Sequence, residues 1–281
     1  DVEGAMCDDD LVFSLNPGAN LVSYPFYGSA PFESTIPDDV LGEMIVGIIG
    51  EGAASIYEDG SWFGSVSELE GGSGYWLIAN GAISFSYIPP EEDLVRADSR
   101  PYLTTVPEEF QYIQSANQAF YFIDDIDLEG FQVTEGDWLI AYHGDQVVGA
   151  RQWNGTMTDI PAMGVDGNEY TSGYCKTGDV PTFKLLMNEE LLDLEGNVSQ
   201  WSENGLFIVS GLQKSVPLPG AFSLGDAYPN PFNPVTSINF AVPVDSDISI
   251  QVYNLQGRVI ETLVNGIMEA GYHTITWHAD D

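Results

Sequence analysis

The stretch Tyr228-Pro229-Asn230-Pro231-Phe232-Asn233-Pro234 decides the reading of this chain. Its prolines fix φ, remove backbone donors and push the residues before them towards extended geometry. A rigid, extended lead-in is expected there, not a helix. Directly behind it, 237–243 places Ile238, Phe240 and Val242 on one face and Ser237, Asn239 and Ala241 on the other, the alternation of a half-buried strand. Further apolar runs follow at 248–254, 258–264 and 272–277, parted by Leu255-Gln256-Gly257 and by Gly271. Short strands joined by tight turns read as an antiparallel sandwich module.

Composition bounds what the rest can be. The chain has 281 residues, enough for two or three domains with their own cores, and 44% of them are hydrophobic. Lys plus Arg number 7 against 43 Asp plus Glu, a formal net charge of −36. Phosphate binding needs cations, so a nucleic-acid partner is excluded, and an anionic membrane surface is disfavoured for the same reason. Such acidity suits a solvated surface in salty water, and it leaves room for carboxylates that gather around calcium. No apolar run approaches the ~20 residues of a membrane-spanning helix, so membrane insertion is not expected. The sequence begins at Asp1 without a Met or an apolar leader, which reads as a chain whose signal peptide has been removed.

Taken in order, 1–10 is an acidic tail and 11–89 a β-rich domain. Within that domain Ser34-Thr35 and Pro37-Asp38-Asp39 predict one short helix reaching about Met44. Asp59-Gly60 predicts a hairpin turn. Gly71-Gly72-Ser73-Gly74 has no following helix and no Lys-Ser/Thr pair, so it is a turn and not a phosphate loop. Residues 90–107, with prolines, charges, Arg96 and Arg100, read as a linker. A β-sandwich domain is expected over 108–212, with hairpin turns at Gly144-Asp145 and Asn154-Gly155, while 188–203 carries no clear pattern. A Pro-containing linker at 213–221 precedes the module at 222–281.

Three features of that module carry a resemblance: the YPNPFNP run, the V-Y-N-x-x-G-R run with Gly257 and Arg258, and the G-x-H-x-x-x-W run from Gly271 to Trp277. Together, in this order, they resemble the C-terminal sorting domain of type IX secretion cargo. The Ig-like module of flagellar hook-capping proteins is similar. The resemblance covers about the last fifth of the chain. It implies an Ig-like β-sandwich, an outer-membrane secretion machinery as partner, passage to the surface or exterior of a Gram-negative cell, and frequent removal of the module there. The family continues past the Trp277 strand with a Gly-rich turn and another strand pair, whereas this sequence stops at Asp280-Asp281. An incomplete module is therefore expected, its C-terminus trimmed or its missing strands supplied from elsewhere. The N-P-G-x-N-L-V-S-Y-P run from Asn16 to Pro25 more weakly resembles a small β-rich module of exported bacterial proteins. The region from Asp137-Trp138 to Gly167 resembles a β-sandwich found upstream of such sorting domains. Neither brings an activity with it. The fold class expected is mainly β: two sandwich-like domains, then the Ig-like module.

Export gives the two cysteines a meaning. Cys7 and Cys175 form one disulfide in this reading, with two buried free thiols as the alternative. Catalytic chemistry finds no coherent set. The histidines are His143, His273 and His278, none beside a Cys or Ser in a nucleophile elbow, and zinc would need more His or Cys than are available. With 43 acids some carboxylate pair falls at any spacing, so glycosidase chemistry is not signalled. Asp124, Asp125, Asp127 and Glu129, ending at Gly130, form the first half of a calcium-loop pattern, but the twelfth position from Asp125 is Gly136. Trp62 and Trp153 adjoin glycine-containing turns and are the candidate glycan platforms, whereas Trp76 and Trp138 sit in apolar runs and read as core.

The expected protein is thus non-catalytic, exported and β-rich, acting in adhesion or as an extracellular structural subunit, with no cofactor unless calcium. Alternatives are a glycan- or calcium-binding module, or the accessory region of a secreted hydrolase. An unpaired edge in the module would also let one copy take a strand from the next, giving head-to-tail filaments.

Overall fold

The computed structural model describes residues 11–90, 105–128, 130–215 and 218–279. Among them nearly all regular structure is strand. The chain divides into two compact units, Asp1–Lys214 and Ser215–Asp281, parted inside the segment read as a linker. The acidic tail at 1–10 and most of the 90–107 linker lie outside the described residues.

The first unit opens with a five-stranded antiparallel sheet in the order Gly18–Ser23, Gly74–Ala79, Ile45–Ile49, Ala54–Glu58, Ser61–Gly64. The hairpin between its last two strands turns on Asp59 (φ 48°) and Gly60 (φ 83°), the left-handed pair that such turns require. Side chains alternate across the sheet. Val22, Tyr75, Leu77 and Ile48 enter one core with Phe32 and Ile36. The helix expected to run to Met44 is confined to Phe32–Thr35. Ile36 precedes Pro37 and is held extended (φ −98°, ψ 130°), which ends the helix before the predicted caps can act. Isolated turns follow, closed by hydrogen bonds from Met44 N–H and Ile45 N–H to the Val40 carbonyl.

The remainder of the unit pairs two sheets. One has the order Ile126–Asp127, Leu212–Lys214, Glu190–Glu195, Thr182–Met187, Trp138–His143, Gln146–Gln152; the other has Thr158–Met163, Gln118–Ile123, Leu206–Val209. Between them lies a core built on Tyr121, Ile123, Leu139, Phe183, Leu185 and Trp201. Asn188 and Glu189, both at positive φ, make a tight turn between paired strands in a region that showed no pattern in sequence. Asn154-Gly155 is not a hairpin turn. The strands on either side of it belong to different sheets, and Thr158–Met163, which contains Pro161, is an edge strand.

Two separate β-rich domains were expected up to residue 212, and the structure joins them. Ile49 and Ala54 from the first sheet share a core with Phe120, Phe122 and Met157, flanked by Trp76, Ile78 and Leu206. A Cβ on Gly47 would meet the terminal methyl of Leu206, which marks how closely the two halves pass at this glycine.

The second unit holds the expected strands in two sheets. Ser223–Leu224, Val235–Val242 and Gly271–His278 form one, and Ser246–Tyr253 pairs with Val259–Met268 in the other. Phe240 and Val242 are buried, as the alternation demands, and Ala241 is buried beside them.

Candidate functional site

The YPNPFNP run is a closed loop, not a straight lead-in. Tyr228 N–H donates to the Ser237 carbonyl (2.9 Å) and Ser237 N–H to the Tyr228 carbonyl (3.0 Å), and the Thr236 hydroxyl donates to the Pro229 carbonyl (2.9 Å). The peptide bonds before Pro229, Pro231 and Pro234 are cis. Phe232 rests on Trp277 with ring centroids 5.1 Å apart, and Ala279 N–H donates to the Pro234 carbonyl (2.9 Å). Trp277 pairs with Thr236 across the sheet and donates its indole N–H to Glu261 Oε2 (2.8 Å), tying the loop to both sheets of the unit.

The second motif is organised by Asn254. Its side-chain oxygen accepts from the backbone N–H groups of Gln256 and Arg258 (both 3.0 Å), and Gly257 takes the positive φ of 73° that closes the turn. Arg258 is the one Lys or Arg in 215–281. Gly271 opens the last strand, beside Ala270, whose N–H donates to Asp245 Oδ1 (2.8 Å), and His273 stacks on Phe240 (5.1 Å). Every motif residue thus sits at a turn or a sheet contact that sets the shape of the module.

Residues 226–275 match the family described as the secretion system C-terminal sorting domain. The C-terminal unit is a sorting domain. It makes the protein a secreted or cell-surface one that engages the type IX secretion machinery. No curated protein and no solved structure matches the chain. Among the described residues no helix is long and apolar enough to cross a membrane.

The other sequence candidates fare differently. Asp124 accepts a long hydrogen bond from the Ser210 hydroxyl (3.5 Å), and the Asp125 carbonyl accepts from Leu212 N–H (3.2 Å). Asp127 lies in a short strand, and Glu129 is outside the described residues. Among the described residues no three His, Cys, Asp or Glu side chains are grouped to hold a metal ion. Cys175 is a fully buried free thiol whose pKa burial pushes up to about 12, and Cys7 is outside the described residues. Trp62 is half-buried, packed edge-on against Phe32 (4.9 Å) and tilted against Tyr57 (5.5 Å). Trp153 is half-buried against the core between the two sheets. Neither ring stands free as the platform expected of it. Trp138 is buried, as read. His143 is held at a strand end, Nδ1 at 2.7 Å from the Gly173 carbonyl and Nε2 at 3.2 Å from Asp179 Oδ2.

Two sites went unread in the sequence. Arg151 and Asp159 form a buried ion pair (3.1 Å) where the halves of the first unit meet. Arg151 Nη2 also donates to the Gly52 carbonyl (2.6 Å) and Nε to the Asp159 carbonyl (2.8 Å), while Asp159 accepts from Ala54 N–H (3.2 Å) and the Ser65 hydroxyl. Burial pushes the Asp159 carboxyl above the usual range, and Arg151 pulls it back. A cationic residue within an apolar strand was the available signal. The second site is a cleft of about 380 Å³ on the same joint, lined by Trp76, Glu51, Gln114 and Gln118 among others.

Proposed function

We propose that the protein acts outside a Gram-negative cell as a non-catalytic adhesion or structural subunit, delivered by its sorting domain. The observation that carries this reading is the pairing of that domain with an acidic β body whose most buried ionic groups among the described residues, Arg151 and Asp159, are consumed in joining its two halves. Groups bonded so completely hold structure and are not poised for proton transfer. A filament built by strand addition is supported by the second unit, where, among the described residues, Ser246–Tyr253 and Val259–Met268 pair only with each other.

The test is to follow the protein by intact mass in medium and envelope fractions of the parent bacterium, and to compare that parent with a strain from which the coding sequence is deleted. The protein is expected at the surface or in the medium, and cells lacking it should attach more weakly to surfaces or to one another. Retention inside the cell, or attachment and extracellular matrix unchanged by the deletion, would overturn the reading.

A further inference from the structure

Alternation along Gly74–Ala79 sends Tyr75 and Leu77 into the first core and Trp76 and Ile78 to the opposite face of the sheet. There both pack against the core shared with the second half of the unit, each half-buried, and a cleft opens beside Trp76. The indole is half-buried, and its cross-strand partner Leu21 is 62% exposed. The cleft has Gly50-Glu51 on one side and Gln114 and Ala116 on the other. Gln118 anchors the base: its Nε2 donates to the Gly50 carbonyl (2.9 Å) and its Oε1 accepts from Gln114 Nε2 (3.0 Å). Gln118 is buried and Gln114 is exposed, so a fixed amide holds a second amide at the rim.

The lining selects the chemistry of an occupant. None of the described lining residues is Lys, Arg or His, so the lining offers no cation to pair with a phosphate, sulfate or carboxylate ligand. The amides, the Ser115 segment and the carboxylate make the walls too polar for a lipid chain. What remains is a molecule with one apolar face and a periphery of hydroxyls. A sugar ring stacks its C–H face on an indole, donates hydroxyl protons to a carboxylate or amide oxygen, and accepts from an amide N–H. A volume of about 380 Å³ lies at the lower end of small-ligand sites, which run from about 300 to 1,000 Å³. We propose that the cleft at Trp76 binds a neutral saccharide, one or two rings deep. The proposal deepens the adhesive reading and rests on it for its biological setting.

The full chain is applied to an array of neutral gluco-, manno-, galacto- and N-acetylglucosamine oligosaccharides, with sulfated and sialylated members alongside. At least one neutral member is expected to bind. Calorimetric titration of that oligosaccharide should then show at least a tenfold loss of affinity in Gln114→Ala and in Glu51→Ala, with the melting curve of each variant recorded alongside so that lost contact is told apart from lost fold. Trp76→Phe should bind more weakly and Trp76→Ala not at all, while Tyr170→Ala, remote and exposed, should match the parent. Binding of acidic glycans alone, an array with no neutral member bound, or a loss that follows Trp62→Ala or Trp153→Ala but not Gln114→Ala would overturn the proposal. A blank array with an attachment-defective deletion strain removes the saccharide and keeps adhesion. A positive array with normal attachment does the reverse.

Discussion

Asp166 shows how much a single carboxylate can organise. Its Oδ1 accepts from the Thr171 hydroxyl (2.7 Å) and Asn168 N–H (3.0 Å), and its Oδ2 from the Asn168 amide (3.0 Å) and, weakly, Ala116 N–H (3.4 Å). These donors, Thr171 first, hold the carboxyl well below the usual carboxylate range. Its folded-state pKa is thus below the unfolded value, so the stability it contributes is present above roughly pH 4 and is lost as pH falls towards the folded pKa. Asp166→Asn should melt below the parent at about pH 6, and the gap should close as pH is taken from about 4 downwards. Melting curves of the two proteins across that range check it; a gap independent of pH would refute it. Asp166-Gly167-Asn168 is turn chemistry of a kind that the residues themselves announce. The sequence could not reveal that Arg151 meets Asp159, since both lie in strands of different sheets and only the fold brings them together.

At the scale of elements, two similar dipeptides came out differently. Asp59-Gly60 makes the hairpin its residues predict, whereas Asn154-Gly155 hands the chain from one sheet to the next. A turn signal reports local backbone preference, and pairing is decided by what the flanking strands can bond to. Thr158–Met163 contains Pro161 and packs across Gly149 without laddering to its strand. A Cβ at Gly149 would collide with the Pro161 carbonyl oxygen, which is backbone and cannot swing aside. Gly149→Ala should therefore cost about 2–3 kcal/mol, read as a fall in the urea midpoint. Gly220→Ala, with nothing near its new methyl, should stay within about 0.5 kcal/mol. A Gly149→Ala protein as stable as the parent would mean that the two sheets part more easily than this packing allows. The sorting motif was the most legible element, since its prolines, Gly257 and Asn254 act through local backbone geometry. The Trp76 cleft was not legible, because an indole inside an apolar run reads as core until the fold places a cleft beside it.

For the whole molecule, the question is what makes residues up to 214 one unit when the linker reading of 90–107 suggested two domains. Apolar contact supplies part of the answer, through Ile49, Ala54, Phe120 and Phe122. The remainder is polar and specific. Arg151 reaches across to the Gly52 carbonyl, Asp159 receives Ala54 N–H and the Ser65 hydroxyl, and Gln118 holds the Gly50 carbonyl. Buried ions of this kind are costly to desolvate, and removing one partner strands the other. Arg151→Met should destabilise the first unit by about 3–5 kcal/mol, and Asp159→Asn added to it should recover part of that loss by removing the stranded charge. Urea unfolding followed by tryptophan fluorescence and by far-ultraviolet circular dichroism gives the measurement. If the halves are bound as described, the first unit unfolds in one transition that shifts as a whole in Arg151→Met. Two transitions in the parent, with Arg151→Met moving only one of them, would return the molecule to the separate domains that its sequence suggests.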